Sequence, residues 1–241
     1  MPLAFRRRWM TPVDAEVIER AIQYPYEIPR RSYIFDADAG DALPYRSAVD
    51  DVTRTAVLAI GSNAAPEQLR RKFPVGHRWG RVPVLLAELR DFDIVYAARV
   101  SSYGAIPATL APSPGTVATL HVTLLTGAQL ERMDSTESVP AAYERVSIPS
   151  HLVRCHEIGE TSTVFSYSAA NGPLLAGTQP IALAATSASN RRFEALTEGE
   201  VLDRVAQHLG LSGREQLILA VTRDEGLRAR VNRELSGLPP T

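Results

Sequence analysis

The spacing of apolar and polar positions changes character along the chain. Residues 11–23, "TPVDAEVIERAIQ", predict a helix with Thr11 as N-cap, Pro12 at the first position and Asp14 closing a capping box. Residues 24–51 are rich in proline, tyrosine and acids and keep no period. They predict an irregular segment laid over the core through Tyr24, Tyr26, Tyr33 and Phe35. From Thr55 the pattern becomes strand-like. "TAVLAI" (55–60) reads as a short buried strand and "PEQLRRKF" (66–73) as a short helix. "VPVLLAEL" (82–89) and "FDIVYAARV" (92–100) read as two strands. "YGAIPATLAPSPG" (103–115), with three prolines and two glycines, reads as a loop holding at most an edge strand.

"TVATLHVTLL" (116–125) then predicts a long strand, and "TGAQLERMD" (126–134) a helix whose capping box joins Thr126 to Gln129. "YERVSI", "HLVRCHEI" and "STVFSYSA" predict three more strands. From about residue 180 the reading is helical: "PIALAATSA", "TEGEVLDRVAQHLGL" with a Thr197–Glu200 capping box, and "SGREQLILAVTRDEGLRARVNREL". The class is α+β: a small mixed, mainly antiparallel β-barrel with helical N- and C-terminal additions. The boundaries fall at 1–53 for an N-terminal extension, 54–185 for the central domain and 186–241 for a C-terminal extension.

Charge narrows the function. Twenty-six basic residues against 27 acidic ones leave no excess to neutralise phosphates, which argues against a nucleic-acid partner. Lys72 is the only lysine, and within "RRKF" it reads as exposed, so Schiff-base chemistry is discounted. A single cysteine, Cys155, excludes an intrachain disulfide framework and a cysteine-rich zinc site. No apolar run approaches the ~18 residues of a membrane span, and no apolar segment follows the charges of "MPLAFRRRWM" as in a secretory signal. A cytoplasmic protein with no membrane partner is expected.

Two stretches carry candidate chemistry. Gly61-Ser62-Asn63 ends the first core strand, and a helix opens at Pro66. Gly admits close approach of a ligand, and free N–H groups of the loop and helix start would converge on a carboxylate or oxyanion. The Gly-Lys-Ser/Thr ending of a phosphate loop is missing. Taken alone, the tripeptide also fits an ordinary strand-to-helix turn. Further on, Glu137 falls just past the helix ending near Asp134. The helix end and Asp134 both add negative potential there, a setting in which a carboxyl takes and returns protons. Tyr143 opens the next strand and by parity shares a polar face with Arg145 and Ser147.

Together these resemble the gamma-glutamylcyclotransferase-like family: Gly-Ser-Asn after the first core strand, a Pro/Gly loop and strand, a short helix ending "MDSTE", then "YERVSI". The resemblance covers roughly residues 55–170. It implies a small mixed barrel with a pocket that releases 5-oxoproline from a gamma-glutamyl amino acid or amine. Glu137 would be the catalytic acid/base, with Ile60, Gly61, Ser62, Asn63 and Tyr143 binding the substrate. Backbone amides of residues 61–63 would hold the carboxylate or developing oxyanion. The small-molecule substrate supplies its own nucleophile, so no cofactor and no metal is required. The chain departs from the family pattern at Ile60 (usually Tyr), Ala64 (usually Leu) and Ser138 (usually Gly). The terminal additions would lid the pocket or form a homodimer interface. The alternative is a non-catalytic small-molecule-binding or regulatory protein retaining the pocket; Ile60 and Ser138 favour it and Glu137 opposes it.

Other constellations carry less. Cys155 and His156 are strand neighbours pointing apart, so they do not form a nucleophile–base pair, and Cys155 reads as a buried thiol. His77, His121, His151, His156 and His208 lack metal-ligand spacing. His121 reads as a sheet histidine. Ser62 lacks the Gly-x-Ser-x-Gly elbow of a hydrolase, and "FRRRW" reads as a solvated patch.

Overall fold

The computed structural model describes residues 11–46, 53–155, 157–158 and 163–237. The arginine run at 6–8 and His156 lie outside the described residues. Helix α1 (Pro12–Ile22) forms as expected, with Thr11 and Asp14 capping reciprocally. Tyr24, Tyr26, Tyr33 and Phe35 are all buried beyond it. That segment is more regular than its sequence, since β1 (Tyr33–Asp36) and β2 (Asp41–Pro44) form a hairpin whose first strand adds to β4 (Arg81–Tyr96).

The sheet is built on β3 (Thr55–Ala59), β4 and β5 (Ala108–Leu125), then β6 (Tyr143–Ile148), β7 (Val153–Cys155) and β8 (Val164–Ala169). The two strands expected between 82 and 100 are one strand, because a register shift between Arg90 and Phe92 lets the chain continue. Asp91 takes a positive φ of 62° at that irregularity and accepts the Gly115 N–H at 2.7 Å. The expected loop before residue 116 is also strand from Ala108. Pro112 lies opposite Phe92, beside the shift, where a missing ladder donor is tolerated. With the two short later strands β11 (Ala182–Leu183) and β13 (Ala195–Leu196), the strand order is β13-β11-β4-β5-β3-β8-β6. Pairing is mainly antiparallel; β3–β8 and β11–β13 run parallel. No ladder among the described residues joins the two ends, so the sheet stays open where a barrel was expected.

Residues 175–196 are not helical. They form short pieces: β9 (Leu175–Ala176), β10 (Gln179–Pro180), β11 (Ala182–Leu183), β12 (Ala188–Ser189) and β13 (Ala195–Leu196). Ala182 docks opposite Val95 of β4, and such tertiary pairing overrides the weak helical pattern of "PIALAATSA". Helices α2 (Pro66–Lys72) and α3 (Gly127–Thr136) precede this region, and α4 (Glu198–His208), α5 (Arg214–Arg223) and α6 (Glu225–Leu235) follow it. The last helical stretch breaks at Asp224, whose carboxylate caps α6 by accepting the Leu227 N–H at 2.8 Å.

Alternation along β3 sorts the core. Ala56, Leu58 and Ile60 face one cluster with α1, α4 and α5, including Ile18, Leu202 and Leu217. Val57 and Ala59 face the other, with Leu69 of α2, Met133 of α3 and Tyr143. Both faces are covered, which explains why β3 reads as continuous apolar sequence. No helix among the described residues is long and apolar enough to cross a membrane.

Candidate active site

A short turn follows β3 where the two clusters meet. Gly61–Ala64 form one 3-10 turn, all four residues buried, and Pro66 opens α2. Gly61 adopts φ +58°, and a Cβ there would overlap the Tyr24 hydroxyl, so only glycine fits. The turn uses its own amides in part: Asn63 N–H donates to Ile60 O at 3.4 Å and Ala65 N–H to Ser62 O at 2.9 Å. Asn63 therefore meets its partner through the side chain. Its Nδ2 donates to Glu137 Oε1 at 3.0 Å.

Glu137 is the C-cap of α3, a helix started by the expected Thr126–Gln129 box. Arg132 of α3 donates Nε to Lys72 O at 2.7 Å, tying the end of α2 to α3. Lys72 answers from the other direction. Its ammonium donates to Thr136 Oγ1 at 3.1 Å and forms an ion pair with Glu137 Oε1. The side chains are 4% and 13% exposed respectively, so the contact is nearly withdrawn from water. Lys72 is thus not the exposed lysine its sequence context suggested. In α2 it follows Leu69 by three residues and shares the buried face, while Arg70 lies out in solvent. That spacing, and the use of lysine once among 26 basic residues, were the readable signals.

The negative surroundings expected for Glu137 are different in kind. Asp134 is taken by Arg145 Nη1 and by the Tyr167 hydroxyl, each at 2.6 Å. Glu137 instead has a cation and an amide, both on Oε1. Ser138 next to it adopts φ +56°, the conformation glycine would take without strain.

Ile60, Ser62, Asn63, Glu137 and Tyr143 line one cavity of about 670 Å³, together with Lys72. Gly61 faces a second cavity of about 800 Å³ beside His121. Tyr143 donates its hydroxyl to Ala108 O at 3.2 Å, and Tyr24 accepts the Ala108 N–H at 2.8 Å. The two rings so fix the start of β5. Burial pushes both phenols well above their ordinary range, which keeps them neutral hydrogen-bonding groups. Arg145 and Ser147 do not join Tyr143 in the pocket; both are exposed.

The terminal additions also reach this cavity. Tyr24 comes from the N-terminal segment, and Arg228 and Ala229 of α6 form part of the wall. Asn232 docks α6 by accepting Val100 N–H at 2.6 Å and donating to Val100 O at 3.2 Å. Elsewhere, Cys155 is buried and its thiol pushed up to about 11, chiefly by burial. His121 is buried with its Nε2 unpartnered, and burial lowers its pKa. No cluster of metal-ligating side chains occurs among the described residues.

No family model and no curated protein matches the chain. Among solved structures it is similar to a gamma-glutamyl cyclotransferase, at 17% identity over 78% of this chain and 89% of that one, TM-score 0.39. It is also similar to an uncharacterized human protein, at 18% identity over 78% and 90%, TM-score 0.40. An Arabidopsis thaliana protein is similar at 21% identity over 51% and 72%, TM-score 0.37. A gamma-glutamyl cyclotransferase thus stands among the solved structures that this chain resembles.

Proposed function

We propose that the cavity closes a gamma-glutamyl amino acid or amine into 5-oxoproline and releases the amine. The observation that carries this reading is the Glu137 carboxylate, held in the cavity wall by Lys72 and Asn63 beside the 61–63 turn. Both partners bind Oε1, which leaves Oε2 to meet substrate. The substrate's α-amine, in its neutral form, attacks its own side-chain amide carbon. A ring C–N bond forms, and Glu137 takes a proton from the attacking nitrogen. As the tetrahedral centre collapses, the scissile C–N bond breaks and the proton passes to the departing nitrogen. Ser62, on the side of the turn that faces this cavity, holds the substrate carboxylate or the oxyanion, and Tyr143 and Ile60 shape the pocket. Lys72 and Asn63 fix the carboxylate's orientation, so the base needs no reorganisation when the ring closes.

The test is 5-oxoproline release from a panel of gamma-glutamyl amino acids and amines. Glu137→Gln keeps the shape and the Asn63 contact but cannot take the proton. It should lower kcat about 10²- to 10⁴-fold. Binding without release, in wild type as in variant, would favour a receptor that keeps the pocket. The apolar Ile60 wall and a carboxylate already bound by lysine suit that second reading.

A further inference from the structure

Three cations line the cavity: Lys72, Arg99 and Arg228. Lys72 is matched by Glu137. Arg228 donates to Val221 O at 2.8 Å and lies 3.6 Å from the Glu225 carboxylate. Arg99 is different. Its guanidinium lies 5.5 Å from the centroid of the Tyr143 ring, and its Nε is buried without a hydrogen-bond partner. Among the described residues no carboxylate comes within ion-pair distance of it. A guanidinium drawn into a concave wall gives up hydration, and an aromatic face returns only part of it. A carboxylate would complete it, because the planar fork matches both oxygens.

We infer that Arg99 binds the carboxylate of the departing amino acid, so that the cavity selects gamma-glutamyl amino acids over gamma-glutamyl amines. This rests on the cyclisation proposed above. The substrate's glutamyl carboxylate shares a carbon with the attacking amine, and so stays beside Glu137 and the 61–63 turn. The carboxylate of the departing residue lies beyond the scissile amide. It needs a separate cation, one not engaged with Glu137. Arg99 meets that requirement, and Tyr143 lies against it within the same cavity.

A matched pair of ligands tests this: gamma-glutamylalanine and gamma-glutamylethylamide, which differ by one carboxylate. Release of 5-oxoproline and calorimetric binding are measured for wild type, Arg99→Met and Arg99→Lys. Arg99→Met should raise KM and Kd for gamma-glutamylalanine about 10- to 100-fold, the worth of a charged hydrogen bond, with kcat little changed. The ethylamide should be unaffected, and Arg99→Lys should recover part of the loss. Equal loss for both ligands would overturn the assignment. So would equal Kd values in wild type, a result that depends on no variant folding. If no 5-oxoproline forms, the cyclisation reading fails. A preference for gamma-glutamylalanine that Arg99→Met erases would still uphold Arg99 as a carboxylate site.

Discussion

Glu137 and Glu198 both sit at helix ends, one at the C-cap of α3 and the other in the first turn of α4, and both are largely withdrawn from water. Their partners differ. Glu137 has the Lys72 ammonium and the Asn63 amide on one oxygen. Glu198 accepts the Ile106 N–H at 2.7 Å, and its other oxygen has no partner. Burial pushes the Glu198 carboxyl well above the usual carboxylate range, and the Ile106 hydrogen bond only partly opposes this. One glutamate is half of an ion pair facing a cavity. The other is a lone acid bracing the loop before β5. The contrast is between a carboxylate that a cation holds in a cavity wall and a carboxyl that a single backbone N–H holds in the core.

Removing the cation should produce the largest effect. Lys72→Met leaves Glu137 facing a nearly closed wall without its counter-ion. That should destabilise the fold by roughly 3–5 kcal/mol, as when one member of a buried pair is deleted. Denaturant unfolding at neutral pH measures it. Adding Glu137→Gln to Lys72→Met should restore most of the loss, since no uncompensated charge remains. A Lys72→Met protein as stable as wild type would reduce the pair to incidental contact and dissolve the contrast with Glu198.

The second effect is a pH dependence carried by Glu198. In the folded chain its carboxyl keeps a proton that the unfolded chain has already released above the ordinary glutamate range. The folded state therefore binds more protons, and stability falls as pH rises through that window. For one proton the slope approaches about 1.4 kcal/mol per pH unit. It ends once pH passes the folded-state pKa. Glu198→Gln should remove this slope and little else, because the amide keeps an acceptor for Ile106. Unfolding curves at stepped pH compare the two proteins. An unchanged slope in Glu198→Gln would mean that another group carries the proton.

Much of this was readable in the chain. The capping boxes at Thr11, Thr126 and Thr197 name their own helices, because both halves lie within four residues. Ile60, Ser62, Asn63, Glu137 and Tyr143 line one cavity, while Gly61 of the same set faces the other. What stayed hidden depends on tertiary pairing. The β4–β5 ladder makes strand of a proline-rich stretch, and short strands replace a helical reading near Ala182. Lys72 reads as exposed because charge runs usually face water; its spacing from Leu69 marks the buried face of α2, and the α2–α3 contact supplies the partners that hold a cation there. Arg99 carries no local signal, since what sets it apart is a counter-ion that the described residues do not supply.

The smallest effect, and the finest probe of the comparison, belongs to Asn63. Its amide donates to the oxygen that Lys72 already holds, so removing it leaves the ion pair in place and loosens only its direction. Asn63→Ala should lower kcat about 10-fold, in keeping with one hydrogen bond to a charged group, and shift stability by under about 1 kcal/mol. Asn63→Asp places a second carboxylate against Glu137 and should be more damaging to release than the alanine variant, through like-charge repulsion. If alanine and aspartate behave alike, the amide only fills space, and Lys72 alone distinguishes Glu137 from Glu198. If they separate in that order, the site reads charge and direction together, as a base that must face a substrate requires and a buried brace such as Glu198 does not.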